Sequence, residues 1–242
     1  MTALLDINGL TRRFGGLIAV NGVSFTVARG EVVGLLGPNG SGKTTVLNMI
    51  SGSLKPSGGD IRFNSEKVSG WPAHRIARKG IARTFQLVRI LPSLSVAENI
   101  AAALAFRRVP LWGAEADAAA REFLARVGLG GRGDESAENL TYIDQKRMEL
   151  ARALAADPQL LLLDEWLAGL NPTELRVGID LIASLRERGI TIVLVEHVME
   201  AVRALCGRCI VMTAGSKIAD GATADVLRDP DVIRAYLGAS HA

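Results

Sequence analysis

The sequence predicts an α/β fold: a buried parallel sheet flanked by helices, a smaller antiparallel β region near the N-terminus, and an inserted helical subdomain. Three observations predict it. Apolar runs of strand length recur, at residues 160–163 and 190–195 for example, and such runs suit strands covered on both faces. A glycine-rich loop separates a strand-like stretch at 31–36 from a helix-like one at 43–51. From about residue 94 to 155, Ala, Leu, Arg and Glu dominate with helical apolar spacing.

The remaining elements follow in order. Residues 4–10 and 23–27 read as short strands, set apart by turns at Gly15-Gly16 and Asn21-Gly22. The helix at 43–51 is closed by Gly52. Lys55-Pro56-Ser57-Gly58-Gly59 is a turn, and residues 60–63 return as a strand. Residues 128–134 interrupt the helical region as a loop. Residues 173–187 and 224–237 read as helices, and Cys209-Ile210-Val211-Met212 as a strand.

Composition narrows the function classes. A chain of 242 residues, 48% of them apolar, supports a large buried core. The net charge of +3 is weak for a nucleic-acid partner, and no Lys/Arg block interleaves with aromatics. The mild positive balance reads as a solvated surface. The first ten residues carry Asp6 and lack the basic start of a secretory signal. No apolar stretch reaches the roughly 20 residues of a spanning helix, since residues 100–106 run straight into Arg107 and Arg108. Any pore belongs to another polypeptide. Cys206 and Cys209 have C-x-x-C spacing, but one such pair cannot complete a tetrahedral zinc site. They read as ordinary small residues of a chain in a reducing compartment.

Gly37-Pro38-Asn39-Gly40-Ser41-Gly42-Lys43-Thr44 fits G-x-x-x-x-G-K-[ST], and its place between a strand and a helix is the context of a P-loop. Glycines let backbone N–H groups turn around phosphate oxygens, and the helix N-terminus adds its dipole. Lys43 suits the β- and γ-phosphates, and the Thr44 hydroxyl, followed by Thr45, suits Mg²⁺. No guanine-reading N-K-x-D is present. A second metal anchor is expected at a neighbouring strand end, where Asp164 follows four leucines. Glu165, next to it, is positioned to orient or deprotonate a water. His197 ends another strand, as Val195-Glu196-His197, and reaches the site only if that strand end meets the P-loop.

Together these residues resemble the ABC transporter ATPase family, from about residue 4 to 237. Within it the chain is most similar to the ATPase subunits of branched-chain (hydrophobic) amino acid uptake systems. Four stretches carry this: Arg13-Phe14-Gly15-Gly16, Ala82-Arg83-Thr84-Phe85-Gln86, Ala168-Gly169-Leu170-Asn171-Pro172 and Val232-Ile233-Arg234-Ala235-Tyr236-Leu237. The resemblance implies residues 1–86 and 157–242 as the nucleotide-binding core and 87–156 as the signature-bearing helical subdomain. It places Phe14 against adenine, Glu165 as base, His197 as switch histidine, and Gln86 between the metal and the membrane partner. It implies ATP and Mg²⁺ as cofactors and a homo- or heterodimer of ATPase subunits sandwiching two ATP. Polytopic permease subunits, and through them a solute-binding protein, complete the assembly. The chain would lie peripherally on the cytoplasmic face of the inner membrane.

The signature departs from the family's L-S-G-G-Q, and from the branch's L-S-Y-G-Q, as Leu140-Thr141-Tyr142-Ile143-Asp144. Thr141 keeps the hydroxyl. Ile143 replaces a glycine, adding bulk and disfavouring unusual backbone angles. Asp144 adds negative charge near a polyanion, unfavourable unless paired. Trp166 stands where proline is usual. The alternatives are a soluble ABC-type switch on nucleic acid or ribosomes, for which the chain lacks a second cassette and a basic surface, and a low-turnover nucleotide-binding regulator.

Overall fold

The computed structural model describes residues 3–238. In chain order the elements begin with β1 (Ala3–Phe14), β2 (Leu17–Ala28), β3 (Val32–Leu36), α1 (Lys43–Ile50), β4 (Gly58–Phe63), β5 (Glu66–Lys67), α2 (Ala73–Lys79) and β6 (Ile81–Arg83). There follow α3 (Val96–Leu104), α4 (Gly113–Arg126), a 3₁₀ turn at Ala137–Asn139 and α5 (Tyr142–Ala155). The chain closes with β7 (Leu160–Asp164), α6 (Pro172–Glu187), β8 (Thr191–Val195), α7 (Met199–Leu205), β9 (Arg208–Thr213), β10 (Ser216–Ala222), α8 (Thr223–Val226) and α9 (Pro230–Gly238).

Two sheets form. The smaller is antiparallel in the order β2-β1-β4-β5. The larger runs β10-β9-β3-β8-β7-β6, parallel except for β10. Strand alternation divides its side chains between two cores. Val33, Leu35, Leu160, Leu162, Val193 and Val195 face one core, shared with α1 and the antiparallel sheet. Val32, Leu36, Leu161, Leu163, Ile192 and Leu194 face the other, shared with α3 to α7. Both faces are covered, which is why these strands read as unbroken apolar runs. Val96, Ile100, Leu104 and Leu124 of the inserted helices are continuous with the second core.

Three boundaries differ from the sequence reading. The first two strands are twice the expected length, and Asn21-Gly22 lies inside β2. Register shifts between β1 and β2 interrupt the two-residue alternation that marks a strand. The terminal helix is two helices, broken before Pro230, whose ring prevents continuation from the preceding turn. Cys206 and Cys209 are free, buried thiols packed against Gly34 of β3.

Candidate nucleotide site

The site stands at the C-terminal edge of the parallel sheet. β3 leads into the glycine-rich loop and α1, β7 ends at Asp164, and β8 lies between them. Register pairs Asp164 with Val195, so His197 emerges at the same edge, between the loop and the carboxylates, exposed to solvent. The end of β8 thus meets the loop edge, although His197 itself does not line the loop cavity.

Loop residues Asn39, Gly40, Gly42, Lys43, Thr44 and Thr45 meet Gln86 and Glu165 around a cavity of about 260 Å³. Thr44 and Gln86 also border a neighbouring cleft of about 350 Å³ with Arg83 and Asp164. α1 starts without a capping side chain or an acidic residue in its first turn, so its leading amides are left to an anion. Gly42 has φ of 102°, and a Cβ there would stand 2.5 Å from the Ala19 carbonyl oxygen. A side chain is excluded by conformation and by space.

Lys43 is buried, and its Nζ donates to the carbonyls of Gly37 (2.8 Å) and Pro38 (2.9 Å). Burial pulls its ammonium below the ordinary value, against the opposing charges of Glu165 and Asp164. Glu165 adopts a left-handed φ of 51°. Its amide donates to Val195 O (2.8 Å), and its Oε2 accepts from Gln86 Nε2 (2.7 Å). The Gln86 loop is tethered to α5, because buried Glu149 accepts from the amides of Phe85 (3.4 Å) and Arg89 (3.2 Å).

Asp164 is 1% exposed. Burial raises its carboxyl above the ordinary value, and the nearby Arg83 guanidinium works against that. Arg83 donates to Oδ2 at 2.7 Å, whereas Oδ1 finds no protein partner among the described residues. Ser41 Oγ is similarly buried without one. An orphaned carboxylate oxygen beside Thr44 fits a divalent cation, and donor-rich amides around a lysine fit phosphate.

Phe14 is 45% exposed at the end of β1, with the Arg12 guanidinium 4.5 Å over its ring. That excludes the core reading, although Phe14 does not line the loop cavity. Thr141 is also apart from the cavity, as N-cap of α5. Its hydroxyl donates to Asp144 Oδ2 at 2.9 Å. Asp144 is paired with Arg132 (2.7 Å) and Arg147 (3.3 Å). Burial opposes its ionisation, but Arg132, Thr141 and Arg147 outweigh it and hold the carboxyl below the ordinary value. Ile143 sits in the first turn of α5 and is absent from the positive-φ residues, so its backbone is unstrained. Only its bulk remains as a difference from glycine.

Trp166 turns away from the cavity into the core, 2% exposed. Its Nε1 donates to Lys146 O (3.1 Å), and Lys146 Nζ donates back to Trp166 O (2.9 Å) and Ala168 O (2.6 Å). This reciprocal pair joins α5 to the loop after Glu165. Three polar groups went unassigned by sequence reading: Arg83; Glu196, which accepts from Leu167 N at 2.6 Å; and Tyr236, whose hydroxyl contacts Gly37. Arg83 and Tyr236 lie inside the stretches that carry the resemblance, and that was the only signal for either.

This fold and this loop define a P-loop nucleotide-binding ATPase, and the ABC transporter family model matches residues 20–168. The chain belongs to the ABC transporter family as an ATP-binding, ATP-hydrolysing subunit. A second model, the branched-chain amino acid ATP-binding cassette transporter, matches residues 216–242. The chain is 43% identical over 252 residues to the high-affinity branched-chain amino acid transport ATP-binding protein LivG of Salmonella typhimurium, covering 97% of this chain and 98% of that one. Among solved structures, the ADP conformation of an ATP-binding cassette matches with TM-score 0.88 and 29% identity, covering 98% and 100% of the two chains. A dimeric post-hydrolysis cassette bound to ADP and Pi matches with TM-score 0.81 and 26% identity, covering 90% and 98%. Among the described residues, no helix is long and apolar enough to cross a membrane.

Proposed function

We propose that this subunit energises uptake of branched-chain amino acids through separate polytopic membrane subunits that receive solute from a binding protein. The convergence of Lys43, Gln86 and Glu165 on one cavity carries the ATPase half of that reading. Likeness to LivG and the C-terminal family match support the solute. The chain works peripherally, on the cytoplasmic face of the inner membrane, and the helical segment 87–156 bears on the membrane partner.

Asn39, Gly40, Ser41, Gly42, Lys43 and Thr45, with Gly37 at the base of the loop, cradle the phosphates of ATP, and Phe14 stacks on its base. Thr44, Asp164 and Gln86 are the residues that hold Mg²⁺. Held there, the cation would supply positive charge against the phosphates. Glu165 orients and deprotonates the attacking water, Gln86 holds Glu165, and His197 stands toward the γ-phosphate. The test is reconstitution with the polytopic subunits in vesicles. ATP-dependent accumulation of leucine is expected. Failure of the chain to co-purify with those subunits, or ATP turnover without solute movement, would overturn the assignment.

The working pair is read as two different ATPase chains. The Thr141 hydroxyl is engaged by Asp144, and Ile143 adds bulk in the first turn of α5. The partner site completed by this signature is slow, while this chain's own loop remains competent. Ile143→Gly is expected to raise turnover of the assembled pair about 5-fold, roughly 1 kcal/mol of barrier. Fast turnover by a homodimer, unchanged by Ile143→Gly, would remove this asymmetry.

A further inference from the structure

The C-terminal helix returns to the start of the glycine-rich loop. The hydroxyl oxygen of Tyr236 on α9 accepts a hydrogen bond from the Gly37 amide at 2.8 Å, across 199 residues of sequence. α9 is seated on the core through buried Val232, and the half-buried Tyr236 ring packs against the same cluster. Gly37 tolerates no alternative. Its φ is 144°, and a Cβ would stand 2.1 Å from Met212 O and 2.7 Å from Ser41 Oγ. Its carbonyl in turn accepts from Lys43 Nζ. One residue is thus held at its N–H by the end of the chain and at its C=O by the phosphate-site lysine.

We propose that Tyr236 is a positioning residue of the ATP site, its hydroxyl fixing the peptide from which the loop departs and, through Gly37, the resting place of Lys43. A residue in sparsely populated backbone geometry persists only where its surroundings over-determine it, and this bond is one such constraint. It also makes the seating of α9 and the order of the loop a single equilibrium. Whatever displaces the C-terminal helix weakens nucleotide binding, and nucleotide in turn holds the helix in place. The proposal rests on the loop as the ATP site.

The substitution Tyr236→Phe keeps the ring and removes the hydroxyl that accepts from Gly37. A buried amide left unpaired carries the full desolvation penalty. The expected result is a Kd for ATP weakened about 5- to 10-fold, with kcat at saturating ATP within about twofold. Val232→Ala, which loosens α9 but keeps the hydroxyl, lowers the melting temperature more than Tyr236→Phe does and weakens ATP binding less. Amide exchange at Gly37 in nucleotide-free protein tests the bond without ATP, and should speed at least tenfold in Tyr236→Phe. Unchanged exchange overturns the proposal whatever the ATP data show. Faster exchange with unchanged ATP affinity also overturns it, by showing the bond to be structural only. Wild-type protein that binds no ATP would instead sink the reading of the loop itself.

Discussion

Glu165→Gln is expected to lower ATP turnover by on the order of 100-fold or more while leaving ATP binding within about twofold of wild type. The substitution is isosteric and exchanges one carboxylate oxygen for an amide NH2, so it removes the basicity and the negative charge while keeping the shape. Glu165 is held firmly enough for that comparison to be clean. Its left-handed φ of 51° is costly for a residue with a side chain, and its amide is fixed to the end of β8. Gln86 Nε2 donates to the carboxylate, and an amide oxygen in the variant accepts the same bond. Lost turnover with retained binding assigns the base. Turnover within twofold of wild type would take that role from Glu165 and leave His197, at the same sheet edge, as the group to test. Loss of both binding and turnover would show instead that the carboxylate supports the loop.

The difference between what was and was not legible in the sequence follows contact range. The glycine-rich loop is contiguous and flanked by a strand-like and a helix-like stretch, and Asp164-Glu165 ends an apolar run that fits a buried strand. Such local signals place Lys43, Thr44 and the two carboxylates, and the parallel sheet then brings their strand ends together. Arg83 meets Asp164 across 81 residues and Tyr236 meets Gly37 across 199, and no spacing rule encodes either pairing. Trp166 shows a different limit. Its position beside Glu165 does not tell which way the side chain turns: after the left-handed residue Glu165 the indole enters the core, where its N–H reaches Lys146 O. Whether the Asp144 charge is paired was open in the sequence, because Arg132 comes from the preceding loop and Arg147 lies one helical turn away, and only the folded geometry joins all three. The bulged β1–β2 pairing hid strand length for the reason it usually does, since alternation is lost at each register shift.

Arg83→Met is expected to destabilise the fold by about 3–5 kcal/mol, the range for removing one partner of a buried ion pair. The Arg83 and Asp164 side chains are 6% and 1% exposed, so solvent does little to screen either charge. Asp164 has one oxygen on the guanidinium and the other without a protein partner. Without Arg83 the carboxylate is buried with no compensating donor, and burial then pushes its pKa higher still. Arg83 also donates to Asn48 and Ser51 near the end of α1, so its loss unties that helix from β6. Methionine approximates the stem of arginine, which limits the cavity contribution. Urea unfolding of the two chains in EDTA gives the difference directly, and the double variant Arg83→Met, Asp164→Leu separates the causes. If the penalty is the stranded charge, the double variant recovers most of the lost stability, because two apolar side chains replace the pair. If the bonds to Asn48 and Ser51 dominate, the double variant is no better than the single. A single-variant deficit below about 1 kcal/mol would mean that water reaches Asp164 and that the pair is not the buried anchor of the proposed metal site.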